Sequence, residues 1–291
     1  MNNKLSVVLA TFNEELNLPE CLDSVKGIAS EIVIVDGGSQ DKTVEVARSY
    51  GASILVTDNP PIFHINKQKA LDMAKNSWIL QLDADERISP ELGNEILHVI
   101  SLSDDQMEEY QKNLSKRDLF FRHQNLLEER DGTIGVKSST YQAFFIPRLN
   151  YFLGRYLKYG GVYPDGVIRL VKKGNVHFPC ISVHEQMEVN GKVGWLENDL
   201  IHKDSPTFAR YLARNNKYIS LLALELREKE VNKNPLSVIN YMLILPTVWF
   251  LTTFIRHKGF LDSWQGFIFS LFSSLRFPRA YLRALKYEVV S

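Results

Sequence analysis

The sequence predicts an α/β fold in which a doubly wound, Rossmann-like mixed sheet is followed by a C-terminal helical segment. Short apolar, β-branched runs alternate with polar stretches of helical spacing, and four such βα repeats occupy the first hundred residues. The end of the chain differs, because residues 236–255 carry no charged side chain. We therefore expect one domain over residues 1–234 and an apolar, basic helical segment over residues 235–291.

The composition is that of an ordinary folded protein. Hydrophobic residues make up 45% and charged residues 23% of the 291 residues, which excludes disordered and fibrous proteins. Basic and acidic residues both number 34, so no basic field is available to attract nucleic acid. The two cysteines lie far apart without CxxC spacing, which suggests neither a disulfide framework nor a zinc cluster and favours a cytoplasmic chain.

The elements are predicted in order from hydrophobic spacing. Four strands are expected at residues 4–10, 31–36, 52–56 and 77–83, with helices at 41–50 and 65–75. The second half is predicted to hold a helix at 104–116, a turn within LLEERDGT, strands at 142–148, 167–171 and 192–196, and a helix at 206–229.

Polar clusters follow three of the predicted strands: Thr11–Glu14, Asp36–Ser39 and Asp83–Glu86. Ligands bind beyond the carboxyl ends of strands in a doubly wound sheet, so these clusters are candidate site residues. Asp36 could accept a hydrogen bond from a nucleotide, or it could simply close a tight turn in which Ser39 caps the next helix. The chain has no GxGxxG or GxxxxGK[ST] motif, which counts against dinucleotide and P-loop sites.

The segment Asp83-Ala84-Asp85 is the most informative of these clusters. On an extended strand both carboxylates would point to the same face, and two close carboxylates require a cation or a raised pKa. Hard oxygen ligands suit Mg²⁺ or Mn²⁺ bound to a substrate phosphate. The alternative, a helix N-cap, is weakened because Ser89-Pro90-Glu91 already provides one.

Taken together, four segments resemble the family 2 glycosyltransferases of GT-A fold: LSVVLATFNEELNLPECLDSV, EIVIVDGGSQDKTVEVARSYGA, HINKQKALDMA and WILQLDADERISPEL. Three later segments are similar to the bacterial branch that extends lipopolysaccharide cores, including WaaE-like glucosyltransferases: IPRLNYFLGRYLKYGGVYPDGVIRLVKKG, ISVHEQMEV and LENDLIHKDSPTFARYL. The resemblance covers residues 4–100 and 142–230 and implies transfer of a hexose from a nucleotide-sugar, in particular a UDP-sugar.

The resemblance also implies roles for individual residues. Thr11, Glu14 and Asp36 would hold the nucleotide, and Lys67 would help to neutralise its diphosphate. Asp83 would face the ribose or the metal.

For the metal, Mn²⁺ or Mg²⁺, the resemblance makes Asp85 the principal ligand. A downstream histidine often completes this site in the fold, and His202 is the candidate; on its own, a lone histidine is more often structural.

Inverting transfer needs a base that removes the proton of the acceptor hydroxyl. Two residues compete for this role. Glu185 occupies the position of the family's downstream acid and is favoured, although it could be a surface residue of an edge strand. Asp165 follows a Gly160-Gly161 loop and could instead be a turn acid.

The C-terminal segment has the composition of a membrane-surface element. Two apolar stretches, residues 236–255 and 260–275, flank the basic turn Arg256-His257-Lys258-Gly259. We expect this segment to lie on the inner leaflet of the cell membrane rather than to cross it, with helices packed on the domain as the alternative.

The combined expectation is an inverting, metal-dependent enzyme, cytoplasmic and peripheral to the inner membrane face. It would transfer a hexose to a lipid-linked or lipopolysaccharide-type saccharide and bind no nucleic acid. The alternatives are a sugar-phosphate nucleotidyltransferase and a catalytically inactive membrane-surface scaffold of the same fold.

Overall fold

The computed structural model describes residues 4–136, 140–181, 186–231 and 234–286. The chain forms two compact units, one of Met1–Arg148 with Pro164–His202 and the other of Leu149–Tyr163 with Lys203–Ser291. These limits do not coincide with the division after residue 234, which stays a prediction.

The described residues form twelve strands, with two of them, the sixth and the twelfth, contributing to both units. They are β1 (Leu5–Thr11), β2 (Glu31–Asp36), β3 (Ser53–Val56), β4 (Trp78–Leu82), β5 (Glu86–Ile88), β6 (Tyr141–Phe152), β7 (Arg155–Tyr156), β8 (Asp165–Lys172), β9 (Val176–His177), β10 (Glu188–Val189), β11 (Lys192–Trp195) and β12 (Leu200–Ser205).

The helices divide between the two units at residue 202, six before it and five after it. They are α1 (Leu18–Val25), α2 (Thr43–Ser49), α3 (His64–Met73), α4 (Pro90–Val99), α5 (Asp104–Lys112), α6 (Arg117–Asp131), α7 (Phe208–Glu228), α8 (Pro235–Ile239), α9 (Leu245–Leu251), α10 (Ser263–Ser274) and α11 (Arg276–Lys286).

The main sheet has the strand order β3-β2-β1-β4-β8-β6-β12-β5. Strands β1 to β4 are parallel, whereas β8 runs antiparallel to β4 and β6 antiparallel to β8. The chain builds outward from β1 to β3 and then returns to the other side of β1 to form β4. This reversal is a topological switch point, where α/β sheets open a crevice for ligands.

Right-handed crossovers in opposite directions place helices on opposite faces of the sheet. Alternate residues of β1 accordingly enter different cores: Leu9 packs with Leu22 of α1, and Val8 packs with Ala70 of α3. The α/β class and the doubly wound mixed sheet predicted from the sequence are therefore confirmed.

The region after α5 differs from its prediction. The LLEERD part of the predicted turn is helical and belongs to α6, and Gly132, with φ of 91°, ends this helix. The helix is held by one fully buried side chain, Phe120, whose ring stacks on Trp195 at 4.7 Å. His123 and Gln124 accept hydrogen bonds from Gly166 N and Trp195 Nε1, and the helix's high charge density hid these tertiary contacts from the sequence pattern.

The second unit contains a long exposed apolar helix. From Pro235 to Arg256 it runs for 22 residues, in which α8 and α9 alternate with two π-helical stretches, Asn240–Ile244 and Thr252–Arg256. By length and composition it could cross a membrane, and only 11% of its most apolar window is buried. A pairing of α7 with α11, in which Ile219 and Ala223 pack with Tyr281, provides a core of this unit.

Candidate functional site

Thr11 and Asp36 lie side by side at the carboxyl ends of β1 and β2, where they are register partners. Both are buried, and Thr11 Oγ1 donates to Asp36 Oδ2 at 2.9 Å. The Asp36 carboxylate also accepts from Gly38 N at 3.1 Å, from Ser39 N at 2.8 Å and from Ser39 Oγ at 2.6 Å. A carboxylate accepts about four hydrogen bonds, so Asp36 is fully used in shaping this turn. The turn half of the tight-turn interpretation therefore describes this state, but Ser39 does not cap α2, because Lys42 is its N-cap residue and Ser39 Oγ bonds Asp36 and Asn13 N instead.

The loop that contains Glu14 is tied to the loop after β2. Asn13 adopts a positive φ of 55°, a conformation that asparagine tolerates, and its Oδ1 accepts from Gln40 N at 2.8 Å. Glu14 N donates to Thr43 Oγ1 at 2.8 Å, and Glu14 Oε2 accepts from Asn17 Nδ2 at 2.7 Å. The predicted nucleotide residues thus share one hydrogen-bonded edge of the sheet.

Asp83 and Asp85 do not continue β4, contrary to the prediction of an extended strand. They lie in a turn between β4 and β5, closed by a bond of 2.9 Å from Glu86 N to the Asp83 carbonyl. Glu86 Oε2 in turn accepts from Asp83 N at 2.9 Å. The turn gives each carboxylate its own surroundings, so the two acids do not share one face.

Asp83 is held between two buried cations. Its Oδ1 lies 2.5 Å from Lys67 Nζ, and its Oδ2 lies 2.6 Å from Arg169 Nη2. Burial disfavours its ionised form, but Arg169 and Lys67 together hold the pKa of this carboxyl well below its usual range. Burial lowers the pKa of the Lys67 ammonium, although Asp83 opposes this effect. Asp83 and Lys67 are therefore each other's partners in this structure.

Glu86 and Arg169 extend this cluster into the sheet. Arg169 Nη2 lies 2.8 Å from Glu86 Oε1, and Arg169 Nη1 donates to Gln81 Oε1 at 2.5 Å. Burial disfavours the Arg169 guanidinium, but Asp83 and Glu86 outweigh that effect and raise its pKa above the usual value. Glu86 is completely buried, so this arginine positions the turn that carries both acids.

Asp85 and His202 lie next to each other. The pairing of β12 with β5 places His202 opposite Glu86, one residue from Asp85, and His202 Nε2 is 3.6 Å from Asp85 Oδ1. This separation is too long for a hydrogen bond but leaves both groups able to reach one cation. The predicted metal ligands, 117 residues apart in the chain, are thus brought together by an antiparallel strand pair.

The two residues fit a hard divalent cation with few protein ligands. Within the described residues, no group of three or more His, Cys, Asp or Glu side chains could hold a metal ion. Mg²⁺ and related ions commonly use one or two carboxylates and take their remaining ligands from water and substrate phosphates. The donor set therefore suits a cation that binds together with a diphosphate.

Of the two candidate bases, the structure describes Asp165 but not Glu185. Glu185 lies outside the described residues. Asp165 is not a turn residue, because it begins β8, and its Oδ2 lies 2.7 Å from Arg148 Nη2. Arg148 also approaches Glu86, with 3.7 Å between Nη1 and Oε1, so Asp165 is linked to the same charged cluster.

Two members of this cluster, Arg148 and Arg169, are absent from the sequence prediction, and Glu86 stands at the end of the predicted Asp83–Glu86 cluster without a role of its own. The sequence does indicate that Arg169 has a charged partner. This arginine stands inside the apolar run VIRLV, and a charge within a buried strand requires a partner. Nothing in the sequence identifies Asp83 and Glu86 as that partner, since the pairing crosses from β8 to β4.

Several known proteins similar in sequence to this chain are glycosyltransferases by name. Residues 6–148 match the family model described as glycosyl transferase family 2. The chain is 26% identical over 286 residues to an uncharacterized glycosyltransferase of Rickettsia typhi, covering 97% of this chain and 87% of that protein. It is 24% identical over 299 residues to the lipopolysaccharide core biosynthesis glycosyltransferase LpsC of Rhizobium meliloti, covering 96% and 94% of the two chains.

A solved structure, glucosyl-3-phosphoglycerate synthase of Mycobacterium tuberculosis with Mn²⁺ and UDP-glucose, aligns with 29% of this chain and 34% of its own. It has 23% identity and a TM-score of 0.27, too little to bear on substrate or metal. The matched residues 6–148 include Thr11, Asp36, Lys67, Asp83 and Asp85, which form most of the site described above. Residues 6–148 therefore form a family 2 glycosyltransferase domain, and relatives similar over nearly the whole chain are named glycosyltransferases.

Proposed function

We propose that the protein transfers a hexose from a UDP-sugar, with inversion, to a lipid-linked or lipopolysaccharide-type saccharide. The observation that carries this proposal is the approach of Asp85 to His202 at the open edge of the sheet, beside the switch point between β1 and β4. A nucleotide-sugar placed there would present its diphosphate to a cation held by these two residues.

The chain's own residues would bind and orient the donor. The loops that carry Thr11, Glu14 and Asp36 form the nucleotide side of the crevice. Asp36 would have to exchange at least one of its present hydrogen bonds for a nucleotide donor. Lys67 would help to neutralise the diphosphate. Its ammonium group also contacts the Asp83 carboxylate, so Asp83 and the diphosphate would have to share this positive charge.

Mn²⁺ or Mg²⁺, held by Asp85 and His202, would stabilise the negative charge that develops on the leaving diphosphate. Arg169 would keep the Asp83–Glu86 turn in place, so that Asp85 points towards the histidine. Glu185 is the proposed base, and it would take the proton from the acceptor hydroxyl. Asp165 is the second candidate for this role, although Arg148 engages its carboxylate.

Thermal unfolding of the purified chain with UDP-, GDP-, CMP- and dTDP-sugars, with and without Mn²⁺ or Mg²⁺, tests the donor and the metal. Ligands that bind the native state raise the melting temperature. We expect a metal-dependent rise for UDP-sugars that Asp85→Ala abolishes. Asp72→Asn is the matched control, since Asp72 is an exposed acid of α3 outside the site. A metal-independent rise, or none with any donor, would contradict the proposal.

Transfer assays with Glu185→Gln and Asp165→Asn test the base. Loss of a general base lowers kcat by about 10²–10⁴-fold. We expect a loss of this size for Glu185→Gln, with a smaller loss for Asp165→Asn. The reverse order would assign the base to Asp165.

The acceptor and location rest on two further observations. LpsC, similar over nearly its whole length, is a lipopolysaccharide core biosynthesis glycosyltransferase by name. The helix from Pro235 to Arg256 also exposes Leu243, Val248 and Ile255 at 64%, 54% and 57%. Apolar side chains so exposed, followed by a basic segment, favour attachment to the inner face of an anionic membrane.

A further inference from the structure

The second compact unit contains a small cavity that the proposed transferase site does not use. Its volume is about 200 Å³, and side chains of α7, α10 and α11 line it together with the end of β12. A water molecule occupies about 30 Å³ in the liquid, so the cavity can accommodate one small group with a few waters. The lining residues that matter are Arg276, Asn215, Arg214 and Asp204.

Two hydrogen-bond donors in this lining have no partner among the described residues. Asn215 is 8% exposed, and its Nδ2 is buried without a hydrogen bond. Arg276 Nε is likewise buried without a hydrogen bond. An unsatisfied buried donor costs about 1–3 kcal/mol, and acceptor oxygens in the cavity would remove this cost once the donor turned towards them.

The charges of the lining also favour an anion. Asp204 forms an ion pair with Arg214, so the acid in this lining already has a basic partner. Arg276 has aromatic neighbours instead: its guanidinium carbon lies 4.2 Å from the Trp249 ring centroid and 4.9 Å from that of Phe277. These rings fix the plane of the guanidinium but supply no anionic charge.

We propose that this cavity is a binding site for a phosphate group, held by Arg276 and Asn215. A planar guanidinium matches phosphate oxygens with two donors, and the amide of Asn215 provides another. Tyr211 and Tyr218 also line the cavity, and each side chain carries a further hydrogen-bond donor. The same chemistry describes free phosphate and the headgroup of a phosphomonoester lipid.

Isothermal titration of the full-length chain with inorganic phosphate, at constant ionic strength set with chloride, tests the site without nucleotide or metal. We expect Arg276→Met and Asn215→Leu each to weaken binding about tenfold or more. Arg279→Met is the matched control, because Arg279 lies on the same helix but bonds Asn216 and does not line the cavity. Circular dichroism verifies that each variant is folded.

A second arm distinguishes the two sources of phosphate. Phosphatidylcholine vesicles with and without phosphatidic acid are incubated with the wild type, Arg276→Met and Arg279→Met, and bound protein is measured by sedimentation. Preference for phosphatidic acid that Arg276→Met abolishes, and inorganic phosphate competes away, identifies a lipid headgroup. Phosphate binding without this preference identifies a soluble phosphate ligand.

The proposal is overturned if phosphate does not bind in either arm, or if Arg279→Met weakens binding as much as Arg276→Met. These outcomes are separate from the sugar-transfer proposal, because neither a nucleotide-sugar nor an acceptor is present.

Discussion

The charged cluster of the first unit and the cavity of the second unit differ in how their arginines are compensated. Arg169 is buried and lies within 2.8 Å of carboxylate oxygens from both Asp83 and Glu86. Arg276 Nε is buried and has no hydrogen bond to the residues that the structure describes, and its guanidinium stacks on aromatic rings. An arginine whose charge is matched inside the chain positions its neighbours, whereas one without a matching acid is available to an outside anion.

The same contrast applies to acids. Asp36 and Asp83 have their acceptor oxygens engaged by this chain, and both shape turns at the sheet edge. Asp85 has a histidine beside it, with 3.6 Å between His202 Nε2 and Asp85 Oδ1. Among the aspartates predicted for the site, Asp85 is therefore the one whose neighbour is a second possible metal ligand.

The largest expected effect tests whether Arg169 is a structural ion-pair partner. Arg169→Met leaves Asp83 and the fully buried Glu86 without their guanidinium and should lower the free energy of unfolding by about 3–5 kcal/mol. Urea denaturation followed by circular dichroism measures this free energy. Arg130→Met is the control, since the Arg130–Asp131 pair is largely exposed on the arginine side and its loss should cost less than about 1 kcal/mol. Equal losses of unfolding free energy in Arg169→Met and Arg130→Met would show that Arg169 is not a structural ion-pair partner.

The next effect tests whether Asp85 and His202 act on one cation. Asp85→Asn and His202→Asn should each lower the rate of sugar transfer about a hundredfold, because each removes a ligand of the same ion. The double variant should be no slower than the slower single variant. Independent, multiplying losses in kcat would show that the two residues do not share a ligand.

A smaller effect concerns acid stability. The pKa of Asp83 is lowered in the folded protein from an ordinary value of 3.8, so its contribution is present above about pH 4 and is lost as the pH falls below that value. Asp83→Asn should therefore lower the free energy of unfolding by about 2 kcal/mol at pH 7. This difference should shrink when both proteins are unfolded in urea at pH 3. A constant difference would mean that the Asp83 charge does not contribute.

The smallest effect concerns the exposed helix of the second unit. Leu243→Ser and Leu251→Ser should each reduce sedimentation with phosphatidylglycerol vesicles about tenfold, because each removes apolar surface from the interface. Leu126→Ser on α6 is the control, since Leu126 is 56% exposed but lies on a charged helix of the first unit. Binding that is insensitive to the first two changes, or equally sensitive to the control, would contradict membrane attachment through this helix.

Most of the first unit's sheet could be predicted because local patterns report it. Apolar β-branched runs correspond to β1, β2 and β4, and the Ser89 cap begins α4, where its Oγ accepts from Leu92 N. Helix α6 could not be predicted, because a helix held by Phe120 on Trp195 depends on a contact 75 residues away in the chain. The shape of the Asp83–Glu86 turn likewise depends on Arg169, which arrives from another strand.

The sequence by itself determined the α/β class, the acids at the strand ends and the uncharged C-terminal run, because spacing and composition are local properties of the chain. Only the tertiary structure decided which acids are matched inside the chain. It paired Asp83 with Lys67 and Arg169 and brought His202 to Asp85. Charges interact through space, so partners on different strands become neighbours only once strand order and register are set.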